Sequence, residues 1–191
     1  MRKVKLLLLE LFWTLTRCYL RIRGAEVGRG VKCNGFPFVR IRKGGRLIIE
    51  DGVNINAHPR WNAHVSKGST NLFVGKGATL RIEENAGLSG SRIVAMDSIT
   101  IGPESMIGAG CLVCDSDMHE IPLGTDKPIA RKPISIGTRV FIGAQTIILK
   151  GVTIGKHSVV GAGSVVSRSI EGDCIAAGNP ARVVKQTGED N

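Results

Sequence analysis

Residues 136–166 read IGTRVFIGAQTIILKGVTIGKHSVVGAGSVV, and within them an aliphatic residue returns at every sixth position. These positions are Ile136, Ile142, Ile148, Ile154, Val160 and Val166. Glycine directly follows four of them, and a small or β-branched residue stands four positions after each one. Chance supplies one or two such matches in a chain of this length, but very rarely six in succession, so the repeat is structural.

A helix does not keep this pattern on one face, because six residues at about 100° each displace the apolar stripe by about 120°. Short strands with a turn every six residues do keep it. The aliphatic residue then points inward, the small residue fits beside it, and glycine relieves crowding where the backbone bends. The repeat therefore predicts a parallel β-helix, in which each coil buries its apolar side against its neighbours. The 25 glycines and the scarcity of aromatic residues also disfavour a helical bundle.

The same signal continues upstream, strictly to Ile101 and more loosely to Val27. The register breaks once, because Val113 and Ile136 are one position short of four repeats apart. Residues 115–133 in this interval are polar and contain three prolines. A β-helix has no structural need of such an insertion, so it predicts a functional loop.

Three stretches resemble the hexapeptide-repeat acyltransferases, a family with a left-handed parallel β-helix. They are residues 141–166, the ending AAGNPARVV at 176–184, and DSDMH at 115–119. Together they are similar to the branch that acetylates sugars and surface polysaccharides, which includes the maltose and galactoside acetyltransferases. The resemblance covers about residues 27–187 and implies an all-β fold with a short C-terminal helix or tail. Only the resemblance gives the handedness, since the usual rule for parallel crossovers predicts right-handed ones.

The resemblance also implies a homotrimer that binds acetyl-CoA, the acyl donor, in a groove between neighbouring prisms. His119 occupies the position of the family's general base, and the backbone N–H of Ala144 that of an oxyanion donor. The residues implied to border the CoA groove are Phe141, Gly143, Ala144, Ala162, Arg182 and Lys185. Many members have tryptophan where Phe141 stands; phenylalanine keeps the ring but loses the indole donor.

Acetyl transfer to a hydroxyl needs a group that removes the proton as the oxygen attacks the thioester, and neutral imidazole is suited to this task. His119 lies where the polar loop leaves the coil, at the end of an Asp-rich turn. Asp117 or Asp115 is a candidate to hold the imidazole tautomer. The alternative is that both aspartates only begin a turn and that His119 is solvated. A three-histidine zinc site needs a second histidine nearby, which His119 lacks, so no metal is expected.

The net charge of +10 suits a phosphorylated ligand such as CoA, and Arg182 and Lys185 are candidate phosphate partners. The alternative is that these two residues lie on the solvated face of a C-terminal helix. Nucleic-acid binding is not expected, because no recognised fold, aromatic platform or basic helix supports it. The five cysteines have no disulfide-framework spacing and are interpreted as reduced thiols of a cytoplasmic protein.

Residues 1–23 predict an amphipathic helix, with Val4, Leu7, Leu8, Leu11 and Leu15 on its apolar face. The apolar run is shorter than the roughly 20 residues that a membrane span needs. The helix is expected either to dock across the open end of the β-helix or to lie in the inner face of a membrane. The predicted organisation is therefore a helical segment at 1–26, a β-helix at 27–171 with the loop 115–133, and a cap and tail at 172–191.

The sequence predicts an O-acetyltransferase that moves an acetyl group directly from acetyl-CoA to a sugar hydroxyl. The alternatives are an N-acetyltransferase that acts on an amino-sugar nucleotide, or a structural β-helix without activity. Retention of His119 and of the loop counts against the last of these.

Overall fold

The computed structural model describes residues 2–60 and 70–187, without the side chains of Arg2, Lys3 and Lys5. One helix, α1 (Arg2–Ile22), precedes twenty short strands. The strands are β1 (Glu26–Val27), β2 (Lys32–Asn34), β3 (Phe38–Ile41), β4 (Arg46–Ile49), β5 (Asn54–Asn56), β6 (Asn71–Val74), β7 (Thr79–Ile82), β8 (Gly87–Ser89), β9 (Arg92–Ala95), β10 (Ser98–Ile101), β11 (Met106–Ile107), β12 (Leu112–Cys114), β13 (Ile134–Ile136), β14 (Phe141–Ile142), β15 (Ile147–Ile148), β16 (Thr153–Ile154), β17 (Val159–Val160), β18 (Val165–Val166), β19 (Cys174–Gly178) and β20 (Ala181–Gln186).

Three sheets form the walls of a triangular column. Sheet A has the order β1-β4-β7-β10-β13-β16, sheet B the order β2-β5-β8-β11-β14-β17-β19-β20, and sheet C the order β3-β6-β9-β12-β15-β18. Each coil therefore contributes one strand to A, the next to B and the third to C, and pairs in parallel with the coil above it. This is the predicted parallel β-helix.

The core of the column is the set of residues that the repeat predicts to point inward. All six aliphatic residues of the opening stretch are at most 1% exposed. The small residues beside them are also buried, and their hydroxyls are satisfied by backbone carbonyls: Ser105 donates to Gly137 at 2.6 Å and Ser164 to Gly161 at 2.6 Å. The structure thus confirms both predictions made from the six-residue period: which residues are buried and how the coils stack.

Glycines that follow the inward residues allow successive coils to approach each other closely. A Cβ on Gly102 would lie 2.5 Å from the carbonyl oxygen of Gly137 in the next coil. The backbone of that coil is fixed by its own ladder, since the N–H of Gly102 donates to Ile136 and that of Gly137 to Ile154. Glycine is required here for space rather than for an unusual φ.

Helix α1 docks across the first coil, in contact with β1 and β2, which is the first of the two arrangements that the sequence left open. The face that docks is not the leucine face. Thr16 and Leu20 are fully buried, and the indole N–H of Trp13 donates to the side chain of Asn34 at 2.8 Å. The ring of Tyr19 packs edge-on against Phe36, with centroids 5.3 Å apart. The apolar face predicted from the sequence points into solvent instead.

The C-terminal segment forms a hairpin and not a helix. β19 adds to sheet B in parallel with β17, and β20 returns antiparallel to β19. The N–H of Thr187 donates to Asp173, which closes the hairpin. The tail therefore extends sheet B, and the alternative of a short C-terminal helix was wrong.

Replacing Gly102 with alanine should lower the free energy of unfolding by about 2 kcal/mol, because the added methyl meets a backbone that cannot move. Gly87→Ala is the matched control, since its nearest neighbour is the flexible Met106 side chain at 3.7 Å. Urea unfolding of the two variants measures the difference, and we expect the control to stay within about 0.5 kcal/mol of the parent. Equal stability of the two variants would show that the coils do not approach as closely as described.

Candidate active site

The polar loop leaves the column between β12 and β13, at the corner where sheet C leads into sheet A. A narrow neck holds its two ends together: the N–H of Asp117 donates to Ala130, and that of Lys132 donates to Asp115. Ser116 and Arg131 form an antiparallel bridge within this neck. The loop therefore has a fixed base, and the residues beyond it project from the corner.

Asp115 is buried at the base of the loop and holds a neighbouring turn. Its carboxylate accepts the N–H of Met96 at 2.6 Å and that of Asp97 at 2.9 Å. Burial raises the pKa of Asp115, while the two N–H donors act to lower it. Both oxygens are engaged away from the imidazole, so the expectation that Asp115 orients His119 is not supported.

Asp117 pairs with Lys150, which lies on the next coil. The two side chains are 18% and 27% exposed, so the pair is mostly shielded from solvent. It ties the loop neck to the column between β15 and β16. Asp117 thus has a partner other than His119, and its role in the structure is to anchor the loop.

The group that orients the imidazole is the backbone carbonyl of Glu120. Nδ1 of His119 lies 3.0 Å from this oxygen. A carbonyl can only accept, so the proton of a neutral imidazole resides on Nδ1 and Nε2 is left as the basic nitrogen. His119 is exposed, so Nε2 is accessible to a substrate.

Glu120 also fixes the turn that follows His119. Its carboxylate accepts the N–H groups of Gly124 and Thr125, each at 3.0 Å. The Gly124 contact is the main cause that lowers the pKa of Glu120. The turn is consequently strengthened once Glu120 ionises and loosens as the pH falls through this lowered pKa. Sequence reasoning missed Glu120, and the only signal for it was its position next to His119.

A second candidate feature lies at the corner between sheets B and C. The turns there carry Gly-Ala pairs, and the stack runs through Ala109, Ala144 and Ala162. Gln145 donates to Ala109 and Gly163 donates to Ala144, so these turns lie directly above one another. Within the described residues the N–H groups of Ala144 and Ala162 have no hydrogen-bond acceptor. Unpaired N–H groups in a row are suited to bind an extended ligand or a developing negative charge.

A cavity of about 480 Å³ opens on the outer face of sheet B, beside this corner. Ala144, the exposed ring of Phe141 and the thioether of Met106 form its apolar side. Its polar side includes Asn56, which donates to Ser89 at 3.2 Å and accepts from the buried Asn34 at 2.8 Å, so that the amide groups form a hydrogen-bonded row. Asn54 lies beside this row. Sequence reasoning did not single out these asparagines, because they stand in the loosely repeating part of the chain.

The other predicted groove residues follow the same wall. A Cβ on Gly143 would overlap the backbone of Ala162, so the two coils are in direct contact at this corner. Arg182 and Lys185 lie on β20, at the end of sheet B. The side chain of Arg182 donates to the carbonyl of Ala181 at 2.9 Å and is exposed. The structure thus places Phe141, Gly143, Ala144 and Ala162 along one corner, with the two cations beyond it.

The two candidate groups arise at different corners of the column. The strands of sheet C run from the corner of Ala144 to the corner from which the loop leaves, so the width of this sheet separates Ala144 from the base of the loop. His119 lies two residues, about 7 Å of chain, beyond Asp117, whose N–H is bonded in the neck. The cavity beside Ala144 is lined without any residue of the loop.

Comparison with known proteins agrees with this architecture. A family model described as the hexapeptide repeat of succinyl-transferase matches residues 133–168. A probable acetyltransferase of Mycobacterium tuberculosis is 32% identical over 153 residues, which are 74% of this chain and 50% of that protein. A solved hexapeptide-repeat acetyltransferase of Vibrio cholerae, complexed with acetyl-CoA, is 30% identical with a TM-score of 0.54, over 58% of this chain and 61% of its own. A polySia-specific acetyltransferase is 26% identical with a TM-score of 0.56, over 85% of each chain.

By its six-residue repeat and its fold, the chain is similar to hexapeptide-repeat acetyltransferases. The comparisons support the left-handed parallel β-helix that the resemblance implied. The chain spans half or less of the length of the sequence relatives it matches.

Replacing Glu120 with alanine should lower kcat for acyl transfer about 10-fold, because His119 loses the rigid turn that positions it. Glu171→Ala is the matched control, an exposed glutamate at the far end of the column. Steady-state kinetics separates the effects, and the KM for the acyl donor should stay unchanged in both variants. A kcat of E120A equal to that of the control would contradict the positioning role.

Proposed function

We propose that the protein is an acetyl-CoA-dependent O-acetyltransferase that acts on a sugar hydroxyl. The observation that carries this proposal is the pairing of two features: an exposed imidazole with its Nδ1 held by a carbonyl, and a column of unpaired N–H groups at a corner of the fold. The first supplies a base and the second supplies donors for an oxyanion. Similarity to hexapeptide-repeat acetyltransferases, one of which is solved with acetyl-CoA, supports the same reaction.

In this mechanism Nε2 of His119 removes the proton of the acceptor hydroxyl as its oxygen attacks the acetyl carbonyl. The N–H of Ala144 donates to the oxygen that becomes negative in the transition state. The imidazolium then returns its proton to the leaving thiolate, which balances the reaction without a covalent enzyme intermediate. A thiol nucleophile is disfavoured, since burial raises the pKa of Cys111 and of Cys114, the thiols nearest these two corners.

The proposed site is formed between two copies of the chain. His119 at the sheet C–A corner of one copy would face Ala144 at the sheet B–C corner of the next. The base and the oxyanion donor would then meet at one substrate. Head-to-tail contacts of this kind close into a ring, and a triangular column is suited to a homotrimer. Exposed apolar side chains on the walls, Phe38 at 51% and Met106 at 56%, are consistent with such contacts.

The donor would follow the Gly-Ala column, with its phosphates toward Arg182 and Lys185. The acceptor would occupy the cavity on sheet B. Amide groups such as those of Asn54 and Asn56 both donate to and accept from hydroxyls, and the Phe141 ring offers an apolar face to a sugar. Since acetyl-CoA is a cytoplasmic metabolite, we place the reaction in the cytoplasm.

Replacing His119 with alanine should lower kcat for sugar acetylation by at least about 100-fold, the low end of general-base contributions. The measurement is release of free CoA from acetyl-CoA across a panel of sugar, nucleotide-sugar and amine acceptors. Lys127→Ala, an exposed change in the same loop, controls for loop damage. Undiminished transfer by H119A would contradict the mechanism. If none of the acceptors caused CoA release, the proposed function would be wrong.

Mixing two inactive variants tests the shared site. His119→Ala removes the base, and Ala144→Trp obstructs the N–H donor at the other corner. In randomly mixed trimers about a quarter of the sites would combine an intact His119 with an intact Ala144 from the neighbouring copy. We expect co-refolded protein to regain activity in about this proportion. Mixtures as inactive as the separate variants would place both residues of the site in one chain.

A further inference from the structure

The apolar face of α1 lies in solvent along its whole length. Val4, Leu7, Leu8, Leu11 and Leu15 are 55–70% exposed, and Ile22 is 83% exposed. Cys18 is exposed on the same side. At about 100° per residue these seven positions fall within an arc of about 100°. We refer to them as the apolar stripe.

From Trp13 to the end of the helix, the opposite face of α1 is fixed to the β-helix. Trp13, Thr16 and Leu20 lie about 120–180° from the centre of the apolar stripe on the helix circumference. Two of them are fully buried, and Trp13 is hydrogen-bonded to Asn34. On the flank, Arg23 at the end of the helix donates twice to the carbonyl of Val39. The helix cannot turn the stripe inward without losing these contacts, so the stripe forms the outer surface of the capped end.

The charge of α1 decides what can cover the stripe. The helix sequence contains five basic residues, Arg2, Lys3, Lys5, Arg17 and Arg21, against the single acid Glu10, which gives 5 − 1 = +4. A second copy would bring the same positive charge to the contact. Anionic lipid headgroups attract this charge, while aliphatic side chains enter the boundary between headgroups and acyl chains.

The geometry also sets how a bilayer would be contacted. No helix in the described part of the chain is long and apolar enough to cross a membrane. A helix with one apolar face and basic residues is suited to lie in the plane of the interface. We propose that the capped end of the β-helix binds an anionic lipid bilayer through α1, with the apolar stripe inserted below the headgroups.

In this arrangement the first coil stands next to the bilayer and the loop with His119 lies farther along the column. A threefold assembly would present three copies of α1 on the same side, so that weak individual contacts act together. Lipid binding itself needs only α1 and its docking. Its failure and the failure of the proposed acetyl transfer are therefore separate outcomes.

The test uses the full chain and vesicles of phosphatidylcholine, with and without phosphatidylglycerol, separated from free protein by sedimentation. The double variant Leu8→Asp/Leu11→Asp places two charges in the middle of the stripe. We expect it to bind anionic vesicles at least about 10-fold more weakly than the parent. The matched control is Val183→Asp/Val184→Asp, which makes the same change at two exposed positions on β20, at the other end of the column. Circular dichroism shows whether each variant is folded.

Cys18 provides an independent readout in the parent chain, with the aliphatic residues of the stripe unchanged. Its reaction with a water-soluble maleimide should slow at least about 10-fold when anionic vesicles are added, because the stripe then leaves the water. A Cys18→Ser variant gives the background from the partly exposed Cys114.

Loss of vesicle binding in the stripe variant, with binding retained in the control, supports the proposal. Equal binding of parent and stripe variant would overturn it, and so would equal binding to vesicles without phosphatidylglycerol. Absence of vesicle binding together with stripe-dependent self-association in sedimentation velocity would also overturn it, and would assign the stripe to a second copy of the chain.

Discussion

The structure depends on the stacking of six-residue segments whose aliphatic residues fill one narrow column. Each inward residue is covered by residues of its own coil and of the coils above and below, so the coils are stable together and not singly. The glycine after it lets the next backbone approach closely, as at Gly102 and Gly137, where a methyl group would not fit. Hydrogen bonds between the coils then hold every corner at a fixed height along the column. Two corners of the proposed site are consequently rigid: one presents unpaired N–H groups and the other presents the loop.

The rigid column also holds two parts of the proposed site at different corners: the loop that carries His119 and the turn that carries the N–H of Ala144. Strands of sheet C connect the two corners and pair with the coils on either side, so the base of the loop and the Gly-Ala turns keep fixed positions. We therefore propose that the base and the oxyanion donor of one site come from two copies of the chain. Within one copy, the side chains that sequence reasoning assigned to catalysis serve the loop instead: Asp115 holds the turn at Met96 and Asp117 pairs with Lys150. The imidazole is oriented by a backbone carbonyl.

The sequence predicted the features that depend on the type of side chain, and it did not predict those that depend on contacts with the backbone. Side-chain periodicity specified the buried column and the loop 115–133, because inward positions admit only aliphatic or small residues. The sequence located His119 but not its partner, since every residue has a carbonyl and only the fold shows that the carbonyl of Glu120 points at the ring. For α1, amphipathicity identified the apolar stripe but not its surroundings; the docking face uses Trp13 and Thr16, which hydrophobicity alone does not mark. The tail at 181–186 lies outside the repeat, which is why its strand was missed.

In the proposed assembly one chain supplies the base and its neighbour supplies the oxyanion donor. A crystal structure of the assembled protein with CoA would show whether the site is shared in this way. We expect the CoA sulfur to lie between Nε2 of His119 in one copy and the N–H of Ala144 in the next, with the pantetheine along the Gly-Ala column. A sulfur that contacts both residues of the same chain, or that lies remote from His119, would contradict it.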